Sequence, residues 1–240
     1  FDILEKRQKW MNCEQNDILM LRKFLHLMRF KDRQEAGQKL AKALAPLTDK
    51  KTVIYALPRG GVVLGYAIAK ALKLPLDIIV TRKIGHPTQP EYAICSVAED
   101  GDILCDEAER AGVDEKWFAK AKKEQREEAK RRRVTYRGNL KIPGVTGKTA
   151  VLVDDGIATG LTIRLAISEL KHLKPKQIIV AVPVAPADVA KEIKKTVDKL
   201  VLLDTPTIYA GAVGNYYENF PQIEDKEVIK RLNEIANLTP

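Results

Sequence analysis

The feature that most constrains this chain is a repeated grammar. Short, continuously apolar, β-rich runs alternate with helical patterns. Thr52–Leu57 is the first such run, and Thr149–Val153 and Gln177–Val182 follow the same form. An exposed strand would alternate apolar and polar residues. Unbroken apolar runs of four to eight residues instead fit strands buried on both faces of a parallel sheet. Leu76–Thr81 and Leu200–Leu203 extend the series. Helical patterns fall between the runs, at Asp32–Leu47, Val62–Leu72, Leu161–His172, Ala187–Lys199 and Asp225–Ala236. Strand and helix alternating at least four times imply an α/β fold with a central parallel sheet flanked by helices.

Other segments depart from this pattern. Residues 1–27 form an N-terminal extension, with a helix implied by Ile18, Leu21, Leu25 and Met28. Residues 82–91 are polar and carry Gly85, Pro87 and Pro90, the marks of a long loop. Tyr92–Ala98 and Asp102–Cys105 read as two short strands joined at Glu99-Asp100-Gly101. Asp114–Arg133 reads as a long charged helix, whose Lys120–Arg133 stretch holds eight basic residues and three acidic ones.

Composition excludes several classes. Apolar residues make up 45% of the 240, which is too many for a disordered chain. No run of about 18 apolar residues is present to cross a bilayer. The start, Phe1–Lys6, mixes charged and apolar residues and lacks a secretory pattern, so a cytoplasmic location is expected. The three cysteines, Cys13, Cys95 and Cys105, are widely spaced and odd in number, which implies free thiols rather than a disulfide framework. The net charge of +9 makes anionic partners plausible without choosing among them.

The chemistry concentrates in Val151-Leu152-Val153-Asp154-Asp155-Gly156-Ile157-Ala158-Thr159-Gly160-Leu161-Thr162. An apolar strand ends in adjacent carboxylates, and a turn of small residues then feeds a helix. Such a helix start presents unpaired N–H groups and a positive dipole end to a phosphate. Thr159 and Thr162 add hydroxyls. Two carboxylates beside a phosphate site make sense when the ligand also carries hydroxyls or a metal ion. A ribose 5-phosphate fits, with its phosphate for the turn and its hydroxyls for the carboxylates.

This segment resembles the 5-phosphoribosyl 1-pyrophosphate (PRPP) signature of the type I phosphoribosyltransferases. Leu57-Pro58-Arg59-Gly60-Gly61-Val62 is similar to that family's pyrophosphate loop. Arg82–Glu91 is similar to its mobile active-site loop. The Pro-Arg-Gly-Gly, Arg-Lys-Ile-Gly-His-Pro and Pro-Glu-Tyr-Ala runs are most similar to a group known only as predicted phosphoribosyltransferases. The resemblance covers about residues 30–240.

It implies a phosphoribosyltransferase-like fold over 28–240, with a small hood insertion at 105–136. It also implies Mg²⁺-dependent transfer of ribose 5-phosphate from PRPP to a nitrogen acceptor, a base or an amine, with release of pyrophosphate. Asp154 and Asp155 would hold the ribose hydroxyls and, through water or ribose, the Mg²⁺. Ala158, Thr159, Gly160, Leu161 and Thr162 would hold the 5-phosphate. Arg59, Gly60 and Gly61 would bind pyrophosphate, joined by Arg82 and Lys83 on loop closure. Relatives that use 6-oxopurines have an Asp where this chain has Ala158, which argues against hypoxanthine or guanine as acceptor. A homo-oligomer is expected, and no membrane partner.

Four readings stay open at this level. His86 is either a general base or a residue that shapes its loop. Glu91 and Tyr92 are candidate loop-closing contacts. The Tyr209–Phe220 loop, with Tyr209, Tyr216 and Tyr217, either stacks on the acceptor or closes the sheet edge. The basic helix is either a solvated face or a docking surface. That last choice keeps a second function in view, a PRPP- or nucleotide-sensing regulator that binds nucleic acid through its basic surface.

Overall fold

The computed structural model describes residues 30–141 and 144–238. The extension at 1–27 lies outside the described residues. Five strands form the central sheet: β1 (Thr52–Ala56), β2 (Leu76–Ile78), β6 (Thr149–Val153), β7 (Gln177–Val184) and β8 (Lys199–Asp204). All pairs are parallel, in the order β2-β1-β6-β7-β8.

The apolar runs are buried on both sides, as their continuity implies. Ile54, Ala56, Val151, Val153, Ile179 and Ala181 face one core. That core is completed by α1 (Arg33–Leu44), α2 (Gly60–Leu72) and α7 (Asp225–Leu238). Val53, Tyr55, Ala150, Leu152, Ile178, Val180 and Val182 face a second core. It is covered by α5 (Leu161–His172) and α6 (Ala187–Lys194). Side chains alternate between faces along a strand, so a strand buried on both must be apolar throughout.

The topology fixes where a ligand can sit. From β1 the chain crosses through α2 to β2 on one side. From β6 it crosses through α5 to β7 on the other. The strand order therefore reverses between β1 and β6. At such a point the loops leaving the carboxyl ends of the strands part and open a crevice.

A second sheet stands beside the first. The strands β3 (Thr81–His86), β4 (Gln89–Ala98) and β5 (Ile103–Cys105) pair antiparallel in that order. With α3 (Glu107–Ala111) and α4 (Glu115–Arg137) they enclose a small core of Ile84, Ile94, Cys95, Val97 and Val113. The helical part of this unit is the stretch expected as a hood.

Here the sequence reading needs two corrections. Residues 82–91 are a hairpin rather than a loop. Gly85 and the prolines mark a register shift between Ile84 and His86 and leave the pairing intact on either side. A Cβ on Gly85 would collide with the Pro90 carbonyl, so this irregular crossing requires glycine. The cysteines are the second. Cys95 and Cys105 are joined by a disulfide, with Cα atoms 4.0 Å apart. The two residues stand directly opposite in the β4–β5 register. Their 10-residue separation is the span of a hairpin, which spacing arithmetic alone read as wide.

Candidate active site at the strand-order reversal

Two loops meet where the strand order reverses. The first, Leu57–Gly61, leaves β1 and enters α2. It is anchored by Leu57 N–H donating to the Val153 carbonyl, 3.0 Å. The second, Asp154–Gly160, leaves β6 and enters α5. The loops touch so closely that only glycine fits between them. A Cβ on Gly61 would stand 2.9 Å from the Val153 carbonyl oxygen and 3.0 Å from Asp154 Cα. A Cβ on Gly60 would collide with the Asp155 carboxylate. The Gly-Gly pair is thus a close-approach requirement.

At the far end of the second loop, Gly160 caps α5 with φ 82°. That left-handed turn aims the chain into the helix, and no side chain caps the first-turn N–H groups. Thr159, Gly160 and Thr162 line the adjoining cavity of about 870 Å³. So do Ala158, Asp154, Asp155, Arg59, Gly60, Arg82 and Lys83. The two loops and β3 therefore bring together nearly all of the residues expected to hold ligand. Gly61 and Leu161 are not on the wall. Gly61 packs against β6, and Leu161 opens α5.

The two carboxylates differ. Asp155 Oδ2 accepts from Arg33 Nε at 2.8 Å. Arg33 is only 7% exposed. It also donates to the Pro221 carbonyl at 2.7 Å and lies 3.6 Å over the Phe220 ring. The Tyr217 hydroxyl donates to the Asp155 carbonyl at 2.6 Å. Asp154 has no cation this close. Burial, then the neighbouring Asp155 charge, pushes its carboxyl well above the usual carboxylate range. A hydrogen bond from Asp155 N–H to Asp154 Oδ1 and the Lys83 charge oppose the shift. One acid is held by an internal arginine and the other is left short of positive charge. Two carboxylates are too few for an all-protein cage. They fit a hydrated Mg²⁺ that shares its shell with substrate oxygens.

The cationic wall is equally organised. Arg59 Nη1 lies 3.3 Å from Asp225 Oδ1. Arg82 Nε donates to Gln125 Oε1 at 3.1 Å. Burial, with Arg132 nearby, lowers the Arg82 pKa. His86 lies on the cavity wall, its Nδ1 2.9 Å from the Thr88 hydroxyl. Tyr92 is exposed and donates to Glu109 at 3.2 Å. It is not on the wall.

The sequence offered Tyr209, Tyr216 and Tyr217 as candidate acceptor contacts, beside the reading in which their loop closes the sheet edge. The structure locates them elsewhere. Tyr216 is fully buried and Tyr217 is 4% exposed. Tyr209 stacks on Tyr216 at 5.4 Å. None of the three lines the cavity. They pack the loop onto the sheet, which is the second of the two readings given above, and from that loop Val213 and Phe220 face the cavity. Opposite them α4 presents Trp117, Lys120, Ala121, Glu124 and Gln125. This spacing of three and four residues is a single helix face.

Arg33 and Asp225 escaped the sequence reading, which had the 105–136 segment as a hood but did not single out the face of α4 that lines the cavity. Arg33 is 122 residues from Asp155 in the chain, and no local pattern joins them. The α4 face was legible in principle, from its helical spacing through Trp117 and Gln125.

Much of the basic charge of α4 is paired within the chain. Arg131 and Arg132 bind Glu128, at 2.7 Å each. Lys130 pairs with Glu127 and Lys120 with Glu124. Arg133 pairs with Glu99, and Arg126 donates to the Glu99 and Asp100 carbonyls. Of the two readings of this helix, the solvated face is the better supported, because six of the eight cations have partners within the chain.

Comparison with known proteins agrees with this geometry. The family model for the phosphoribosyl transferase domain matches residues 28–218. A Mycobacterium tuberculosis protein named "Putative phosphoribosyl transferase Rv0571c" is 40% identical over 207 residues, covering 85% of this chain and 46% of its own. Its counterpart in another strain of that species matches equally. The chain therefore spans about half the length of the curated relatives it matches. Among solved structures, TT1426 of Thermus thermophilus superposes with a TM-score of 0.70 at 37% identity, covering 86% of this chain and 99% of its own. The crevice between β1 and β6, the loops that line it and these matches lead to one assignment: the chain belongs to the phosphoribosyl transferase domain family.

Proposed function

We propose that this chain is a Mg²⁺-dependent phosphoribosyltransferase. It moves ribose 5-phosphate from PRPP to a nitrogen of a nucleobase or amine and releases pyrophosphate. The observation that carries this reading is the meeting of the 57–61 and 154–160 loops at the reversal of strand order. One loop ends in an uncapped helix start suited to a phosphate, and the other carries Arg59.

The roles follow from the chemistry of the wall and, for Gly61 and Leu161 behind it, from their backbone N–H groups alone. The α5 start, with Ala158, Thr159, Gly160, Leu161 and Thr162, binds the 5-phosphate through backbone N–H groups and hydroxyls. Asp154 and Asp155 accept hydrogen bonds from the ribose hydroxyls. Arg59 and the Gly60 and Gly61 backbone meet the pyrophosphate. Arg82 and Lys83 approach it from β3. Bond breaking builds positive charge at the ribose and negative charge on the leaving group, so this cationic wall stabilises the transition state more than the ground state. Mg²⁺, held by Asp154 and Asp155 through water or ribose, supplies further charge neutralisation of the pyrophosphate when bound. The hairpin and α4 cover the cavity and limit access of water to the reacting carbon. The acceptor lies between the α4 face and Phe220, where Trp117 offers a planar surface and Glu124 and Gln125 offer polar ones.

The test is PRPP-dependent pyrophosphate release with Mg²⁺ across a panel of nucleobases and amines. Release that requires one class of acceptor is expected. No release with any acceptor, beside tight salt-dependent binding of nucleic acid, would favour the regulatory reading instead.

A further inference from the structure

Behind Arg59 stands a carboxylate with three donors. Asp225 opens α7. Its Oδ1 accepts from the Tyr136 hydroxyl at 2.7 Å and faces Arg59 Nη1 at 3.3 Å. Its Oδ2 faces Arg131 Nη2 at 3.3 Å. Tyr136 is 1% exposed, so its hydroxyl needs an internal partner, and Asp225 provides it. A carboxylate at a helix start is further favoured by the helix dipole. Arg59 lines the cavity, whereas Asp225 is not on its wall. Three elements therefore converge on one side chain: the β1–α2 loop, α4 and α7.

We propose that Asp225 is a positioning residue that acts through Arg59, holding its guanidinium at the cavity wall before the pyrophosphate group arrives. This rests on the reading of Arg59 as a pyrophosphate contact. An unrestrained arginine loses rotamer freedom when it binds a ligand, and a held one has already lost it. The same pairing competes with the ligand for positive charge. One observation favours restraint over competition. Only one of the five guanidinium donors is engaged by Asp225, which leaves the others for a ligand. Asp225 in turn is fixed by Tyr136 and Arg131. The α4 helix that lines the acceptor side thereby also sets the leaving-group side.

Calorimetric titration of the full chain with inorganic pyrophosphate and Mg²⁺ tests this in a double-mutant cycle. Asp225→Asn keeps an acceptor for Tyr136 and removes the charge. Arg59→Ala should weaken binding on the order of tenfold. Asp225→Asn should weaken it about 3- to 5-fold. Adding Asp225→Asn to Arg59→Ala should cost nothing more, because the first residue acts through the second. If Asp225→Asn fails to fold, Tyr136→Phe carries the same cycle with a smaller loss of the same sign. Unchanged or tighter binding in Asp225→Asn, or full additivity in the double variant, overturns the positioning role. Unchanged binding in Arg59→Ala, or none in the parent protein, overturns the underlying reading of Arg59 instead.

Discussion

Glu169 shows how a single residue reports on the fold. It lies in the last turn of α5, away from the cavity, where its carboxyl meets Asp100, Asp102 and His172 with all four ligand-type atoms within 4.8 Å of one another. Its Oε1 is buried without a hydrogen-bond partner. Burial, followed by the charges of Asp100 and Asp102, pushes its pKa up from 4.5 to about 7. The folded chain thus holds this proton more tightly than the unfolded chain does. Between those two values the folded state binds more protons, so stability falls as pH rises. The wild-type Tm should therefore drop more steeply from pH 5 to pH 7.5 than that of Glu169→Gln. Parallel curves for the two proteins would show that this carboxyl is not desolvated as described.

The same scale shows what a linear reading misses. Asp154, Asp155 and the threonines that follow them were legible because they are contiguous and their spacing alone implies a helix start. Arg33 and Asp225 were not, since their partners stand 122 and 166 residues away. Tyr216 and Tyr217 were left with two readings for a related reason. An aromatic run has the same appearance whether it stacks on a ligand or packs a loop, and burial decides between the two.

Among the elements, the parallel strands and their crossover helices were the most legible. Thr149–Val153 and Leu161–His172 fall where the apolar run and the small-residue turn after it put them. The β3–β4 hairpin was not, because Gly85, Pro87 and Pro90 are the residues of an irregular turn as much as of a loop. Packing between elements also leaves a trace in the glycines. A Cβ on Gly37 of α1 would stand 2.8 Å from Ala67 Cβ and 2.9 Å from Leu64 Cα of α2. Helix propensity alone would favour Gly37→Ala by about 1 kcal/mol. Overpacking at such a contact costs about 1–3 kcal/mol. The variant should therefore show a Tm lowered by a few degrees, roughly 2–4 °C for each net kcal/mol. It should also bind ligand less well, because α1 carries Arg33 to Asp155. A raised Tm would mean that α1 and α2 do not pack this closely.

For the molecule as a whole, the positive charge and the sheet order take on separate meanings. The net charge of +9 first suggested any anionic partner. In the fold, much of the α4 charge is paired with Glu128 on the same helix and with Glu99 beside β4, while Arg131 to Asp225 and Arg137 to Asp77 tie this unit to the main body. The cavity wall gathers the cations Arg33, Arg59, Arg82, Lys83 and Lys120 with Asp154 and Asp155 at the point where the strand order reverses. Among the described residues no helix is long and apolar enough to cross a membrane. The central claim is that this crevice binds PRPP through the paired carboxylates. Isothermal titration of PRPP in the presence of Mg²⁺, into the parent chain and into the Asp154→Asn, Asp155→Asn double variant, tests it most directly. Saturable one-to-one binding to the parent is expected, weakened on the order of a hundredfold or more in the variant, as loss of two charge-assisted contacts implies. Equal affinity in a folded variant, or no binding to the parent, would contradict it.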